Sequence, residues 1–323
     1  MRNWLDGYYE RCGIILPKSP VKIDSFPMFI TIHNNTDMSS AYSNGVTFTD
    51  ETGNILPHNQ IYWIGGCGKS VSARFRIKCD WGHTSKLYAY WGKHGQGQSG
   101  VYEGYKIFAP MDEASKGKKT TYRDVSGLGN HGHGTATRVN GKFWYAQQFN
   151  GEDYIDFGDV WDGVGTVSMW MLGNGNILQH KDCQLFRNDE HLFIDHKKKQ
   201  WSVVMPTGMH YLAVTFDETI SCYIDGKQSG QIIAANPGMN PEKLDKKDSL
   251  IIGRGFYGII ECFRVAEKRH HEWIMAEHAN EAGNHCIIEP KEQFSSIMVI
   301  PGKIQIADIP VKITGGIGTV IHL

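Results

Sequence analysis

Residues 211–226 read YLAVTFDETISCYIDG, and this stretch decides the fold class. It holds two short runs of aromatic, aliphatic and β-branched residues, which favour β-strands. The second run ends at Asp225-Gly226, a pair that readily takes the positive φ angles of a two-residue hairpin turn. The stretch therefore predicts antiparallel strands joined by tight turns.

Strand signals extend through the rest of the chain. Residues 70–78 alternate strictly, as a strand with one buried and one wet face requires. The residues on the predicted buried face are Val71, Ala73, Phe75 and Ile77. Helix signals are scarce, and the best is 267–281, with Gly283 beyond it as a C-terminal cap. The sequence thus predicts an all-β fold.

The chain is predicted to contain three parts. Residues 1–105 form an N-terminal β-sandwich-like domain, residues 106–284 a larger β-sandwich, and residues 285–323 a short C-terminal β extension. The extension is too short to bury a large core of its own. We therefore expect it to pack either on the preceding sandwich or on another subunit or neighbouring protein.

Composition and charge exclude some classes of function. The 323 residues are 41% hydrophobic and 21% charged, and the formal net charge is −1. No long-range field favours nucleic acid, so a nucleic-acid partner is not expected. No stretch approaches the roughly 20 apolar residues of a membrane span. The start, MRNWLDG, lacks a signal peptide, and the seven cysteines lack CxxC spacing, which predicts reduced thiols in a protein made in a cytoplasm.

Seven ordered motifs in residues 106–282 resemble those of laminin-G-like domains, members of the concanavalin A-like superfamily. They are DVSGLGNHG (124–132), FNGEDYIDFG (149–158), TVSMW (166–170), HYLAVTFD (210–217), YIDGK (223–227), LIIG (250–253) and GIIECFRV (258–265). The tryptophan that usually precedes the fourth motif is missing. The resemblance implies a jelly-roll sandwich.

Residues 1–105 resemble a different module, a small β-domain of uncharacterised function that precedes laminin-G-like domains in phage and bacterial surface proteins. The matching residues are VTFTDETGNILPH (46–58), Trp63 and LYAYWG (87–92). This arrangement implies a non-enzymatic protein of a bacteriophage virion, in a tail fibre, tail tip or capsid-attached adhesin, made in the host cytoplasm. It further implies other virion proteins, a host-surface glycan and further copies of the chain as partners. The alternatives are a cellular carbohydrate-binding or adhesion module and a glycan hydrolase.

Catalytic motifs do not fit their required contexts. The GxGxxG pattern at 127–132 is followed by a strand-like run instead of the helix that a dinucleotide site needs. No GxSxG occurs, so a nucleophile elbow is not predicted. Glycosidases need two carboxylates at a set separation, and the nearest run, 152–156, belongs to a turn motif. We therefore predict that the protein is not an enzyme.

Two groups of residues are candidate sites. Exposed aromatic side chains anchor many binding surfaces, and sugars stack on them. The aromatic candidates are Trp144, Tyr145, Trp161 and Tyr257, with Tyr105 as a further one. The resemblance to laminin-G-like domains also implies a structural calcium ion near a rim, with Asp124, Asn150 and Asp153 as ligands. The alternative is that Asp124 and Asn150 cap turns. No other cofactor is expected.

Overall fold

The computed structural model describes residues 4–92, 100–181, 183–197, 199–229, 233–234, 249–283, 286–300 and 303–311. Side chains are not described for residues 144, 233–234, 294–300 and 303–311. Regular structure in the described ranges is nearly all β, as predicted, with one helix, α1 (His271–Ala282). The chain divides into two compact units. We call Met1–Val101 with Ala279–Leu323 the discontinuous unit, and Tyr102–His278 the inserted unit.

The discontinuous unit contains two antiparallel sheets. Its strands are β1 (Glu10–Ile15), β2 (Ile23–Asn35), β3 (Thr47–Thr49), β4 (His58–Gly66), β5 (Lys69–Trp81), β6 (Lys86–Trp91), β23 (Ile287–Ile288), β24 (Glu292–Ile300) and β25 (Lys303–Val311). One sheet has the order β25-β24-β1-β6-β3, with β23 also pairing β1, and the other has the order β2-β5-β4. The rings of Phe48 and Phe75, one from each sheet, lie 4.8 Å apart and help to join the two sheets in one core.

The predicted C-terminal extension belongs to this unit. Ile288 lies opposite Ile14, and Gln293 lies opposite Glu10. The Arg11 side chain is 1% exposed and its Nη2 lies 2.8 Å from the carboxylate of Glu292. Strands from residues 1–105 and from residues 285–323 therefore form one sheet, whereas the prediction from the sequence assigned them to two separate parts. The predicted strand at 319–323 lies outside the described residues.

Strand β5 is buried on both faces in its middle part. Val71, Ala73, Phe75 and Ile77 are at most 1% exposed, which confirms the predicted apolar face. The other face was predicted to be wet, and this prediction is wrong for Arg74 and Arg76, which are buried, whereas Ser70, Ser72 and Lys78 are partly exposed. Arg76 is 2% exposed because its guanidinium pairs with the buried carboxylate of Glu281 and donates to the carbonyl of Pro27. The aliphatic stem of an arginine can pack in a core when its charged end finds such partners.

The inserted unit is a single antiparallel network of 16 strands within the described residues. They are β7 (Tyr105–Ala109), β8 (Thr120–Tyr122), β9 (Gly132–Gly134), β10 (Thr137–Gly141), β11 (Trp144–Asn150), β12 (Ile155–Asp156), β13 (Gly165–His180), β14 (Cys183–Arg187), β15 (His191–His196), β16 (Lys199–Val204), β17 (His210–Phe216), β18 (Ile220–Ile224), β19 (Lys227–Gln228), β20 (Ile233–Ala234), β21 (Ile251–Ile252) and β22 (Phe256–Ala266). The predicted hairpin turn is confirmed, since Asp225 and Gly226 both have positive φ angles, of 50° and 72°.

Strand β13 organises the inserted unit. Its first part pairs with β17 and β22, and its last part pairs with β14 and β21. One face of the strand faces the main hydrophobic core, through side chains that include Val167, Met169 and Met171. The opposite face is therefore the outer one, because successive side chains of a strand alternate.

A buried polar cluster fixes α1 on that outer face. The carboxylate of Glu277, in α1, accepts hydrogen bonds from the hydroxyls of Tyr105 (2.8 Å), Ser168 (3.1 Å) and Tyr211. The guanidinium of Arg264 lies 3.6 Å from the same carboxylate and is fully buried. Burial and the neighbouring carboxylate raise the pKa of Tyr105 and of Tyr211, so both hydroxyls stay protonated and donate. We call these five residues the Glu277 cluster.

The helix begins later than predicted, at His271 instead of residue 267. The backbone carbonyl of His270 accepts from the N–H groups of Trp273 (3.1 Å) and Ile274 (3.3 Å), which places His270 at the N-terminal cap position. No helix in the described part of the chain is long and apolar enough to cross a membrane.

Candidate binding site

The outer face of the inserted unit is covered at one end and open at the other. Ser168 and Trp170 lie under α1, where Ser168 bonds Glu277 and the Trp170 ring lies 5.6 Å from that of His278. Leu172, two residues further along the same face, is 38% exposed. The helix therefore leaves the end of the sheet beyond Trp170 open.

Three neighbouring strands place six side chains on this open end. Strand β22 lies between β11 and β13, and opposite residues on the three strands form two rows. The rows are Gln148–Ile259–Leu172 and Asn150–Tyr257–Asn174. The two rows are about 7 Å apart along the strands. All six side chains are uncharged and at least partly exposed. We call them the open patch.

Tyr257 is the centre of the open patch and is 66% exposed. A Cβ atom at Gly151 would lie 2.3 Å from Cζ of Tyr257, so the tyrosine ring lies directly over this glycine. The glycine is held in place, because its N–H donates to the carbonyl of Phe256 and its carbonyl accepts from the N–H of Gly255, both at 2.9 Å. The ring is thus supported from below and accessible from above.

An amide lies on each side of Tyr257, and the two amides present opposite groups. The Oδ1 atom of Asn150 accepts hydrogen bonds from the backbone N–H groups of Glu152 (2.9 Å) and Asp153 (3.0 Å), which leaves its NH₂ group as a donor. The NH₂ group of Asn174 donates to the carboxylate of Asp189, which leaves the Asn174 carbonyl as an acceptor. The open patch therefore offers an aromatic ring between a donor and an acceptor.

The predicted aromatic residues differ in position and exposure in the structure. Tyr257 lies in the open patch, whereas Tyr145 is half-buried with the Arg138 guanidinium 4.2 Å from its ring centre. The prediction of Trp161 as an exposed stacking residue is corrected, because Trp161 is 2% exposed and its indole N–H donates to the carbonyl of Val164 at 2.7 Å. Tyr105 is likewise buried, in the Glu277 cluster. The side chain of Trp144 lies outside the described residues.

The predicted calcium ligands bond to protein donors. Both carboxylate oxygens of Asp124 accept hydrogen bonds, from the backbone N–H groups of Phe108, Ser126 and Asn130 and from the Ser126 hydroxyl. Asp153 accepts from the hydroxyl of Thr135. Within the described residues, no group of three or more His, Cys, Asp or Glu side chains could hold a metal ion. The geometry supports turn capping by Asp124 and Asn150, and calcium binding stays a prediction.

We expect Asp124→Ala to destabilise the inserted unit by about 2 kcal/mol, because buried N–H groups that lose their acceptor carry a desolvation cost. Asp124 is 5% exposed, so water does not readily replace the carboxylate. Urea denaturation should give the same loss with and without a calcium chelator. Asp124→Asn should lose less, since its amide oxygen still accepts. A loss that appears only when calcium is present would support the metal role instead.

Several residues of this site carry no strong signal in the sequence. Asn174 lies in the segment LGNGN (172–176), which resembles a loop more than a strand. Its position beside Tyr257 depends on the register between β13 and β22. Asp189 is connected to this site only through its hydrogen bond with Asn174. Strand register is set by long-range packing, so local patterns did not reveal this pair.

No known protein family matches the sequence, and no curated protein matches it. Among solved structures, domain 4 of AbnA, a GH43 extracellular arabinanase from Geobacillus stearothermophilus, in complex with arabinotriose, aligns with 53% of this chain and 96% of that chain. The sequence identity is 16% and the TM-score is 0.39. A TM-score of this size does not establish a common fold.

Proposed function

We propose that the protein is a non-enzymatic adhesion protein that binds a glycan at the open patch. The observation that carries this proposal is the exposed Tyr257 ring, supported by Gly151 and placed between two amides. A sugar ring has an apolar C–H face that packs on an aromatic ring, and hydroxyl groups at its edge that both donate and accept. Aromatic anchors with a few fixed polar groups are typical of small-molecule sites.

Binding without cleavage is the chemistry that the open patch supports. Glycoside hydrolysis in most families needs two carboxyl groups on either side of the scissile bond. The six residues of the open patch include no carboxylate, histidine, thiol or aliphatic hydroxyl. Glu261, on the same strand as Tyr257, is 1% exposed and accepts the backbone N–H groups of Lys142 and Phe143. A glycan hydrolase is therefore the weaker proposal.

The wider setting of the proposal rests on the resemblance of two consecutive modules to phage surface proteins. We propose that the inserted unit is a laminin-G-like jelly roll and that the protein belongs to a virion, made in the host cytoplasm. Other virion proteins and further copies of the chain would be its partners. Mass spectrometry of purified particles tests this placement. A protein that binds glycans but is missing from particles would be a cellular adhesion module instead.

We expect Tyr257→Ala to weaken glycan binding about 30-fold, because removing a central aromatic anchor typically costs about 2 kcal/mol. Tyr257→Phe keeps the ring and should stay within a few-fold of the unmodified protein. Tyr9 is 64% exposed and lies in the discontinuous unit, so Tyr9→Ala is a matched control that should bind normally. Isothermal titration with the oligosaccharide that binds best in a glycan array measures these changes. Unchanged binding by Tyr257→Ala would place the site elsewhere.

A further inference from the structure

We infer that the open patch selects uncharged sugars through a donor edge at Asn150 and an acceptor edge at Asn174, and that Asp189 sets the acceptor edge. This inference rests on the proposed glycan binding and names its ligand class. It is carried by the hydrogen bonds of the two amides and by the charges around the patch.

The charge pattern favours a neutral ligand. None of the six residues of the open patch is Asp, Glu, Lys, Arg or His. Charged groups of both signs border it: Asp189 bonds Asn174, Glu152 follows Gly151, and the Lys142 ammonium lies 4.5 Å from the ring centre of Trp170. A carboxylate on a sugar lying across the patch would lose water without gaining a cation on the patch itself. Such desolvation is unfavourable, so acidic sugars should bind less well.

The donor edge is fixed by the loop after β11. The two N–H groups that bind Oδ1 of Asn150 come from Glu152 and Asp153, next to it in sequence. A rotation of the amide by 180° would break both hydrogen bonds and bring its NH₂ group against two other donors. The ligand must therefore present an acceptor here, and a hydroxyl or an ether oxygen would serve.

The acceptor edge is fixed by Asp189. A carboxylate only accepts hydrogen bonds, so it can bind the NH₂ group of Asn174 and not its carbonyl. The turn that carries Asp189 is itself held by Asn188, whose side chain accepts the backbone N–H groups of Glu190 (3.1 Å) and His191 (2.8 Å). The Asn174 carbonyl consequently requires a donor from the ligand. A hydroxyl supplies one and an O-methyl group does not.

The distance between the two edges matches a sugar lying across Tyr257. Asn150 and Asn174 are on the strands to either side of β22, so their backbones are about 10 Å apart. Both residues lie on the same face of the sheet as the tyrosine ring. One ring seated on Tyr257 would have hydroxyls directed to both sides. Asp189 is thus a positioning residue, because it acts on the ligand through Asn174.

The experiment uses the full chain and two probes. A glycan array first compares neutral oligosaccharides (gluco-, xylo-, arabino-, manno- and galacto-series) with acidic ones (oligogalacturonate, hyaluronan fragments and sialyllactose). The best neutral oligosaccharide and its O-methylated form are then titrated against the unmodified protein, Asp189→Ala and Glu190→Ala. Glu190 is an exposed acid next to Asp189, so Glu190→Ala removes the same charge without touching Asn174.

We expect the unmodified protein to prefer neutral to acidic oligosaccharides by at least about 10-fold, and methylation to weaken binding by about 10-fold, the size of one lost hydrogen bond. In Asp189→Ala the Asn174 amide can rotate and donate to the ether oxygen, so the penalty for methylation should shrink to about 2-fold or less. Glu190→Ala should keep the full penalty. A merely structural role of Asp189 would weaken both sugars equally and leave their ratio unchanged.

The outcomes separate the two proposals. If no oligosaccharide binds the unmodified protein, the proposed function is wrong and this inference is wrong with it. If glycans bind but acidic ones bind best, glycan binding stands and the selection of neutral sugars is wrong. If Asp189→Ala and Glu190→Ala show the same methylation penalty, Asp189 does not position Asn174.

Discussion

Replacing Glu277 with alanine should destabilise the inserted unit by about 3–5 kcal/mol, the usual cost of removing one partner from a buried charged pair. The change would remove the acceptor of the Tyr105, Ser168 and Tyr211 hydroxyls and the carboxylate beside Arg264. All of these groups are buried, so water cannot readily take the place of the carboxylate. Guanidinium denaturation followed by tryptophan fluorescence measures the loss.

Two variants control for this result. Glu277→Gln keeps the shape of the side chain and one acceptor oxygen, and it should lose about half as much. Glu272 lies in the first turn of the same helix with its side chain exposed, so Glu272→Ala should change stability by less than about 0.5 kcal/mol. If Glu277→Ala is as stable as Glu272→Ala, the Glu277 cluster does not hold the helix on the sheet.

Deleting the chain after Gly283 should unfold the discontinuous unit and leave the inserted unit folded. The deletion removes β23 and β24 from β1, and it takes the Glu292 carboxylate away from the buried Arg11. The loss of the ion pair alone should cost about 3–5 kcal/mol. Limited proteolysis with mass spectrometry distinguishes the units, because cleavage should concentrate in Met1–Val101 and spare Tyr102–His278.

Point variants in the full chain separate the ion pair from the strands. Glu292→Ala removes only the carboxylate and should destabilise the same unit. Lys291→Ala removes a more exposed partner of Glu10 and should cost less than about 1 kcal/mol. If the truncated protein keeps both units folded but no longer forms oligomers, the C-terminal segment acts in assembly and is not part of the core.

The features of the fold that depend on residues close together in sequence were predicted correctly. The hairpin turn at Asp225-Gly226 and the apolar face of β5 depend on residues close in sequence, and both are confirmed. The burial of Arg76 depends on Glu281, 205 residues away, and the pairing of β1 with β24 joins residues 281 and 283 positions apart. Alternating polarity cannot reveal such partners, because a buried arginine and an exposed one look alike in sequence.

The candidate site was predictable only in part. Tyr257 was predicted because exposed aromatic side chains are recurrent anchors, and the structure places it at the centre of the open patch. Trp161 satisfied the same criterion, yet it fills the core beside Phe216. Asn150 was predicted as a calcium ligand or a turn cap, and the structure shows the cap and also places Asn150 opposite Tyr257 on the neighbouring strand. Residue type identified the chemistry, and strand register decided which residues come together.

Because the inserted unit lies between the two parts of the discontinuous unit in sequence, those two parts are synthesised at different times. Strand β1 is synthesised well before the residues that pair with its second edge, because Ile288 and Gln293 lie 274 and 283 positions after their partners Ile14 and Glu10. At a translation rate of about 5–20 residues per second, these partner residues are synthesised about 15 to 60 seconds after β1. The inserted unit emerges whole during this interval and can fold first. In the nascent chain β1 can pair with β6 early, but its other edge stays open to chaperones or to a neighbouring nascent chain until Ile288 and Gln293 have been synthesised.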